Sequence, residues 1–582
     1  MTRLWNDPAD FADEMVEGFA EANSQWVRKV YGGVSRSTAS PEPEVAVVIG
    51  GGSGHYPAFA GLVGPGLAHG AAMGNLFASP SAHQVESVAR ASNRGRGVLL
   101  SYGNYAGDVL HFTEAQEALR AEGIDCRSVA VRDDIFSAGP HEREKRRGIA
   151  GDLTVFKIAG AAASLGYDLD RVESVAQRAN ERTRSMGVAF TGCTMPGAAE
   201  PLFTVPEGRM AIGLGIHGEP GLAETGIPSA DGLAELFMEH LLADAEIPDG
   251  VDAKGARAVP VLNGLGSVKS EELFVVYRRI AQLAEEKGVT LVDPQVGEFC
   301  TSFDMAGVSL TLFWLDDELE RLWLAPADTP AFRRGAVDSA ALAAVEADGE
   351  NGAEGDLPDA TEDSRAAARL IAELLGAARE VIDQNADELG RIDSIAGDGD
   401  HGIGMQRGVK AAATAAATLA EQGAGAGTLL TRAADAWADR AGGTSGALWG
   451  VILRTLGAQL GDTEAPEAGT VSDGVSRAAE AVMAYGKAKV GEKTMVDALV
   501  PFADTLAQGL HDGGTLTDAW ASAASAASAA ADATADLMPV TGRARSHGEK
   551  ALGVADPGAV SLALIVTTVG SRLASAEAGL SQ

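Results

Sequence analysis

The sequence predicts two regions of different fold class: an α/β region holding two sheet-containing subdomains, followed by an all-α region. Three observations carry this. Apolar, strand-like runs alternate with amphipathic stretches through residue 333. Residues 334–362 are acidic, rich in Ala and Gly and poor in large apolar side chains. From residue 363 to 582 the chain is Ala-rich, has helical periodicity and almost no β-branched runs. A chain of 582 residues is also too long for one core.

In order, "VAVVIGGGSG" (45–54) is an apolar strand entering a glycine turn, and 97–104, 127–134, 210–218 and 259–266 repeat that pattern. Near-continuous apolar strands between helical segments indicate sheets covered on both faces. Two such sheets fit residues 1–333. The stretch 334–362 cannot bury enough surface to order itself and is expected to be a flexible linker. Beyond it, 364–389 has apolar residues at helical spacing, and 520–536 has small residues every three to four positions, which fits close-packed helices. The longest apolar runs fall short of 18 residues, so no spanning helix is expected. The acidic start "MTRLWNDPADFADEM" lacks signal-peptide features, and three scattered cysteines (Cys126, Cys193, Cys300) make neither a disulfide framework nor a zinc cluster. A cytoplasmic protein with buried thiols is expected.

The net charge of −35, from 81 acidic and 46 basic residues, argues against nucleic acid or an anionic membrane as partner. Local anion sites remain open, above all where a metal mediates. "GGGSGH" fails the dinucleotide spacing, because the third glycine position is His55, and "GEKT" (491–494) lacks the glycine that a phosphate loop needs before its lysine. "DSIAGDGDHGIG" (393–404) puts Asp393, Asp398 and Asp400 within eight positions. An EF-hand from Asp398 would need an acid where Val409 stands, so the cluster reads as a hard-cation site, and magnesium with phosphates fits it. "AGGTSGALWG" (441–450) is a Gly/Ser/Thr turn opening a helix, suited to phosphate. His55, Asp108 and His217 each follow an apolar run and are candidates to converge on one pocket.

Taken together, "GGGSGH", "FASPS", "GNYAGD", "KRRGIAG", "GIHGEPG", "TSFDMAG", the acidic loop, "GGTSGALWG", "KTMVDAL" and "DPGAVS" occur in an order that resembles the dihydroxyacetone kinase family in its single-chain, ATP-dependent form. The resemblance spans almost the whole chain. It implies an N-terminal ketose-binding domain and a C-terminal barrel of antiparallel helices that binds ATP and Mg²⁺. By motif, His217 is the residue that bonds covalently to the substrate carbonyl, with Asp108 and His55 the acid–base pair beside it. Gly52, Ser53, Gly54, Tyr56 and Gly103 fall at the substrate. Asp393, Asp398 and Asp400 match the Mg²⁺ ligands. His401, Gly402, Gly404, Thr444, Ser445, Gly446, Thr494, Met495, Arg543, Asp556 and Gly558 fall at the nucleotide. A homodimer in which one chain's ATP domain serves the other's ketose domain is a further implication.

The sequence departs from the family's usual pattern at Tyr56, Phe59, Gly103 and Ala106, where glutamate, histidine, lysine and threonine are common. "GHYP" is similar to the family's erythrulose kinases, which implies phosphorylation of a terminal hydroxyl of a four-carbon ketose in preference to dihydroxyacetone. Alternatives from other classes are an FAD-cleaving FMN cyclase activity, a regulatory or sugar-sensing module, and a fatty-acid kinase.

Overall fold

The computed structural model describes residues 4–219, 221–338, 342–345, 357–397, 399–540, 545 and 548–580. The chain forms two compact units, Met1–Gly352 and Ala353–Gln582.

The first unit begins α1 (Phe11–Ala22), β1 (Val27–Val30), β2 (Gly33–Arg36), β3 (Thr38–Ala39), β4 (Ala46–Ser53) and β5 (Gly70–Leu76). It goes on through α2 (Ala82–Ser92), β6 (Val98–Gly103), α3 (Ala106–Ala121), β7 (Cys126–Val131), α4 (Asp152–Ser164) and α5 (Leu169–Glu181). Then come β8 (Thr183–Ala189), β9 (Arg209–Ile212), β10 (Ala223–Gly226), α6 (Ala230–Leu241), β11 (Arg257–Gly264) and α7 (Ser270–Lys287). Last are β12 (Thr290–Leu291), β13 (Gln295–Gly297), β14 (Gly307–Trp314), α8 (Asp317–Trp323), β15 (Ala327–Asp328), β16 (Arg333–Arg334) and β17 (Ala343–Ala344).

Two sheets result. The first has the order β1-β2-β5-β4-β6-β7, with β4 parallel to both β5 and β6, and β6 parallel to β7. All eight residues of β4 are buried, the reason its sequence is apolar without alternation. The strand continues through Gly50–Gly52 where the sequence reads as a turn. A Cβ on Gly51 would stand 2.4 Å from the Phe59 ring and one on Gly50 2.5 Å from the Ala72 carbonyl oxygen, so these glycines serve close packing. The second sheet has the order β10-β9-β8-β14-β11-β12, with β13 also beside β11. It is mixed: β14 runs antiparallel to both β8 and β11. β14 is buried along its whole length, so its apolar run could not reveal strand direction.

Part of the expected linker is attached to the first unit. β17 pairs antiparallel with β3, and the Val345 N–H donates to the Ser37 carbonyl at 2.9 Å. A main-chain ladder needs no large side chains, so composition did not anticipate it.

The second unit consists of α9 (Glu362–Ala396), α10 (His401–Glu421), α11 (Ala426–Ala441), α12 (Gly443–Leu460), α13 (Ala468–Gly486), α14 (Val496–His511), α15 (Leu516–Ala533) and α16 (Pro557–Leu580). Each helix packs on the next and α16 returns to α9, which closes a ring. Buried Ala519, Ala523, Ala524, Ala527 and Ala531 let α15 approach its neighbours closely, and Trp437 stacks on Trp449 at 4.8 Å. One stretch, Pro557–Glu577, is long and apolar enough to cross a membrane, which counting consecutive apolar residues did not anticipate. In the ring it packs against α9, α14 and α15.

Candidate active site

His55, two residues beyond β4, and His217, beyond β9, meet between the two sheets. Their Nε2 atoms are 3.0 Å apart. His55 Nδ1 lies 2.7 Å from the Thr301 carbonyl oxygen. A carbonyl only accepts, so His55 donates through Nδ1. Burial, reinforced by His217, pushes the His55 pKa down to about 3, which keeps the ring neutral and makes its Nε2 an acceptor. His217 therefore donates to it through Nε2.

On its other side His217 faces Glu219. Nδ1 is 3.3 Å from Oε1, and Oε2 accepts the His217 backbone N–H at 3.1 Å. Burial alone would raise the Glu219 carboxyl, but Arg147 and His217 outweigh it and hold the group far below the usual carboxylate range. Arg147 bridges Glu219 at 3.5 Å and Asp134 at 3.1 Å. Both ring nitrogens of His217 thus face acceptors, Nδ1 toward Glu219 and Nε2 toward His55. Before Nε2 can act as a nucleophile its proton must pass on, and His55 Nε2 is the acceptor in place.

The surrounding side chains fix this pair. The Phe77 ring stacks on His55 at 5.0 Å, and the Tyr105 ring meets His217 edge-on at 4.7 Å. Tyr105 donates to the Gly148 carbonyl at 2.8 Å, and Ser302 Oγ donates to the Ile216 carbonyl at 2.5 Å. His217 itself sits in a Gly215–Gly218 turn rather than at a strand end, because β9 stops at Ile212 and Gly213 takes φ +74°.

Asp108 is buried in the first turn of α3, one turn along from Tyr105. Ser53 Oγ donates to the Gly74 carbonyl at 2.6 Å, so this hydroxyl holds β4 to the end of β5. Gly52 packs on the backbone of Phe77 and Ala78, and Gly54 takes φ +101° where the chain leaves β4. Gly103 ends β6 beside the Tyr105 ring. The Tyr56 ring is 46% exposed and lies against Phe19 of α1, while Phe59 is buried in the core near Phe156.

A second constellation occupies one end of the helical ring. There α10, α12, α14 and α16 all begin. His401 of α10 ties three of them together, with Nδ1 3.2 Å from Ser445 Oγ and Nε2 3.0 Å from Ser561 Oγ, and burial lowers its pKa. The N-cap residues of α10, α12 and α14 place no side chain on their own helix, although Asp393 accepts the His401 N–H and Thr494 the Val496 N–H, whereas Thr361 and Thr515 cap α9 and α15. Uncapped N-terminal N–H groups and aligned helix dipoles favour anions.

Acidic side chains stand at the same end. Asp393 is buried in the last turn of α9, and its Oδ2 accepts the His401 N–H at 3.0 Å. Burial, then repulsion from Asp393, pushes Asp400 up. Burial chiefly, with Asp393 and Asp497 adding, pushes Asp556 up to about 7. Asp556 Oδ1 accepts the Ala559 N–H at 2.7 Å. Asp398 and Arg543 lie outside the described residues. Among the described residues no three ligating side chains form a metal cluster. Asp393 and Asp400 nonetheless fit a hard cation, because a cation relieves the repulsion that now drives Asp400 toward protonation.

Residues 17–331 match the Dak1 domain and residues 395–571 the DAK2 domain. The chain belongs to the dihydroxyacetone kinase family. It is 60% identical over 581 residues to the L-erythrulose kinase of Pectobacterium atrosepticum, covering 98% of this chain and 97% of that one. It is 52% identical over 577 residues to the D-erythrulose kinase of Mycolicibacterium smegmatis, covering 98% of each. The dihydroxyacetone kinase from C. freundii in complex with AMP-PNP and Mg²⁺ is 27% identical, with a TM-score of 0.52 over 98% of this chain and 99% of that one.

Within this family frame, the structure brings His55 and His217 into contact and gathers His401, Ser445, Asp393 and Asp556 at one helical end. Gly404 lies in the first turn of α10, and Thr444 and Gly446 in that of α12. Gly402 is set by packing, since a Cβ there would meet the Ala386 carbonyl oxygen at 2.0 Å. Gly558 packs on Met495, and the Thr494 N–H donates to Asp497 at 2.8 Å. Lys493 of "GEKT" donates to the carbonyls of Thr534 and Val554, each at 2.7 Å, so it ties loops together. Sequence reasoning missed Glu219, Arg147, Asp134, Phe77, Tyr105 and Asp152. Four of them stand inside the motifs quoted above, but only the fold shows which partner each one faces.

Proposed function

We propose that the protein is an ATP-dependent erythrulose kinase that holds its ketose covalently on His217. The observation that supports this best is the setting of His217, with one nitrogen on a carboxylate and the other on a neutral imidazole. The likeness to erythrulose kinases along nearly the whole chain supports the choice of substrate.

The chemistry follows from the proton positions. The Nε2 proton of His217 passes to His55 Nε2, leaving His217 neutral with Nδ1–H on Glu219. The freed Nε2 pair attacks the ketose carbonyl carbon. The C=O π pair moves to oxygen, which takes the proton from His55. A ring whose pKa is about 3 is a strong acid once protonated, so this return is favourable. The product is a hemiaminal whose imidazolium ring keeps Nδ1–H toward the Glu219 carboxylate, which balances its positive charge. A polyol has no carbonyl to trap and is excluded.

Asp108 then takes the proton of the terminal hydroxyl as that oxygen attacks the γ-phosphorus of ATP. Asp393 and Asp400 would hold Mg²⁺ at the helical end, with Asp398 completing the set. Bound there, Mg²⁺ neutralises charge on the phosphoryl oxygens. The N-termini of α10, α12 and α14 and Ser445 orient the phosphates.

The test is ATP consumption across D-erythrulose, L-erythrulose, dihydroxyacetone and glycerol. Turnover of an erythrulose with none of glycerol is expected. A protein that turns over no ketose would overturn the proposal.

A further inference from the structure

Asp152 opens α4 and is 4% exposed, and its Oδ1 is buried with no hydrogen-bond partner. Its surroundings explain why this is unusual. The carboxyl lies between two glycines. A Cβ on Gly148 would stand 2.8 Å from Oδ1, and one on Gly103 would stand 3.7 Å from Oδ2. That same Gly103 Cβ would be 3.1 Å from the Tyr105 ring. Position 103 therefore separates the Asp152 carboxyl from the ring that packs on His217, and glycine leaves the separation unfilled.

Burial, with Asp133 and Asp108 adding, raises the Asp152 carboxyl well above its usual range. Asp133, by contrast, accepts the N–H groups of Ile149 and Gly151, each at 2.9 Å. One buried acid is thus fully used in holding the loop, and its neighbour is left over. A protonated carboxyl both donates and accepts, which matches an alcohol and suits neither an anion nor a hydrocarbon.

We propose that Asp152 is a specificity-determining residue of the ketose site, hydrogen-bonding through the gap at Gly103 the additional hydroxyl by which a four-carbon ketose exceeds dihydroxyacetone. The inference rests on the kinase reading above and deepens it. Asp152 lies close enough to Asp108 to feel its charge, whereas the Tyr56 ring lies on Phe19. A site that bonds a substrate hydroxyl discriminates far more strongly than one that merely has room: roughly 10⁴-fold or more, against about 10–200-fold.

The experiment is kcat/KM for L-erythrulose, D-erythrulose and dihydroxyacetone in the wild type, Asp152→Ala, Asp152→Asn and Gly103→Ala. In Asp152→Ala the erythrulose-to-dihydroxyacetone ratio should fall by about a hundredfold or more. Asp152→Asn keeps a donor and an acceptor and should recover part of the ratio. Gly103→Ala leaves the carboxyl in place but narrows the gap, and should lower the ratio in the same direction. It decides the matter if the Asp152 variants do not fold. Equal loss on all three ketoses, or a ratio unmoved in Gly103→Ala, overturns the proposal while leaving the kinase assignment standing. A wild type inactive on every ketose overturns the kinase assignment itself.

Discussion

The histidine pocket and the helical end handle buried polar groups in opposite ways. Around His217 the polar groups hold one another: Thr301 holds His55, His55 holds His217, Glu219 holds His217, and Arg147 holds Glu219. At the helical end, carboxylates face one another and the N-cap residues of three helices place no side chain on their own helix. The His55–His217–Glu219 chain is assembled before any ligand arrives, so its geometry is preorganised for bond formation. The helical end is completed by its ligand, so binding energy there doubles as folding energy. On the proposed function, the pocket is where the ketose is held and the helical end is where nucleotide and metal bind.

The largest effect expected is from His217→Ala. Removing the nucleophile should lower ketose phosphorylation by about 10⁴-fold or more. Nucleotide-induced thermal stabilisation should persist, since it belongs to the other site. Loss of both would break the separation.

Next come Asp393→Asn and Asp400→Asn. Each should nearly stop turnover and remove the rise in Tm that Mg²⁺–ATP gives, a rise worth about 2.7 kcal/mol at a hundredfold excess over Kd. Without nucleotide, Asp400→Asn should be as stable as the wild type or more so, because it removes a repelled buried acid. Opposite signs in the two states, read by differential scanning fluorimetry, would sharpen the comparison. A stable variant with unchanged nucleotide response would break it.

Glu219→Gln probes the pocket's internal wiring. It keeps shape and one acceptor but removes the charge that faces Nδ1 of His217 and Arg147. A fall on the order of a hundredfold in kcat/KM for the ketose is expected, with KM for ATP unchanged. A shift confined to ATP would contradict the wiring.

The smallest effect concerns stability. Lys157 is fully buried in α4 and donates to the Leu322 carbonyl at 2.9 Å. Burial, with Arg334 adding, lowers its pKa to about 7. Unfolded, the lysine keeps its proton to a pH above 10, so between about pH 7 and 10 the unfolded state binds more protons and stability rises with pH. The wild type should gain about 1–2 kcal/mol from pH 7 to pH 8.5 relative to Lys157→Met. Parallel pH profiles in chemical unfolding would contradict it.

The fold class was legible in the sequence, because period and composition change at the acidic stretch, and glycine-rich motifs drew attention to His55, His217, Ser445 and Asp393, which the fold gathers in two places. The sequence did not reveal Glu219, Arg147 or Asp152. Their role depends on what the fold brings beside them, and no local spacing encodes the 3.5 Å approach of Arg147 to Glu219. It also misplaced His217 at a strand end, since "MAIGLGIHG" stays apolar past the point where Gly213 turns the chain. β17 escaped notice because a main-chain ladder leaves no mark on composition.

The central claim is that His217 Nε2 bonds to the substrate carbonyl. The most direct measurement is NMR of erythrulose isotopically labelled at its carbonyl carbon, bound to the wild type and to His217→Ala without ATP. The wild type should move the labelled carbon from the ketone to the tetrahedral region of the spectrum, and His217→Ala should leave it a ketone. A bound carbon that stays a ketone in the wild type, or turns tetrahedral in His217→Ala, would contradict the account.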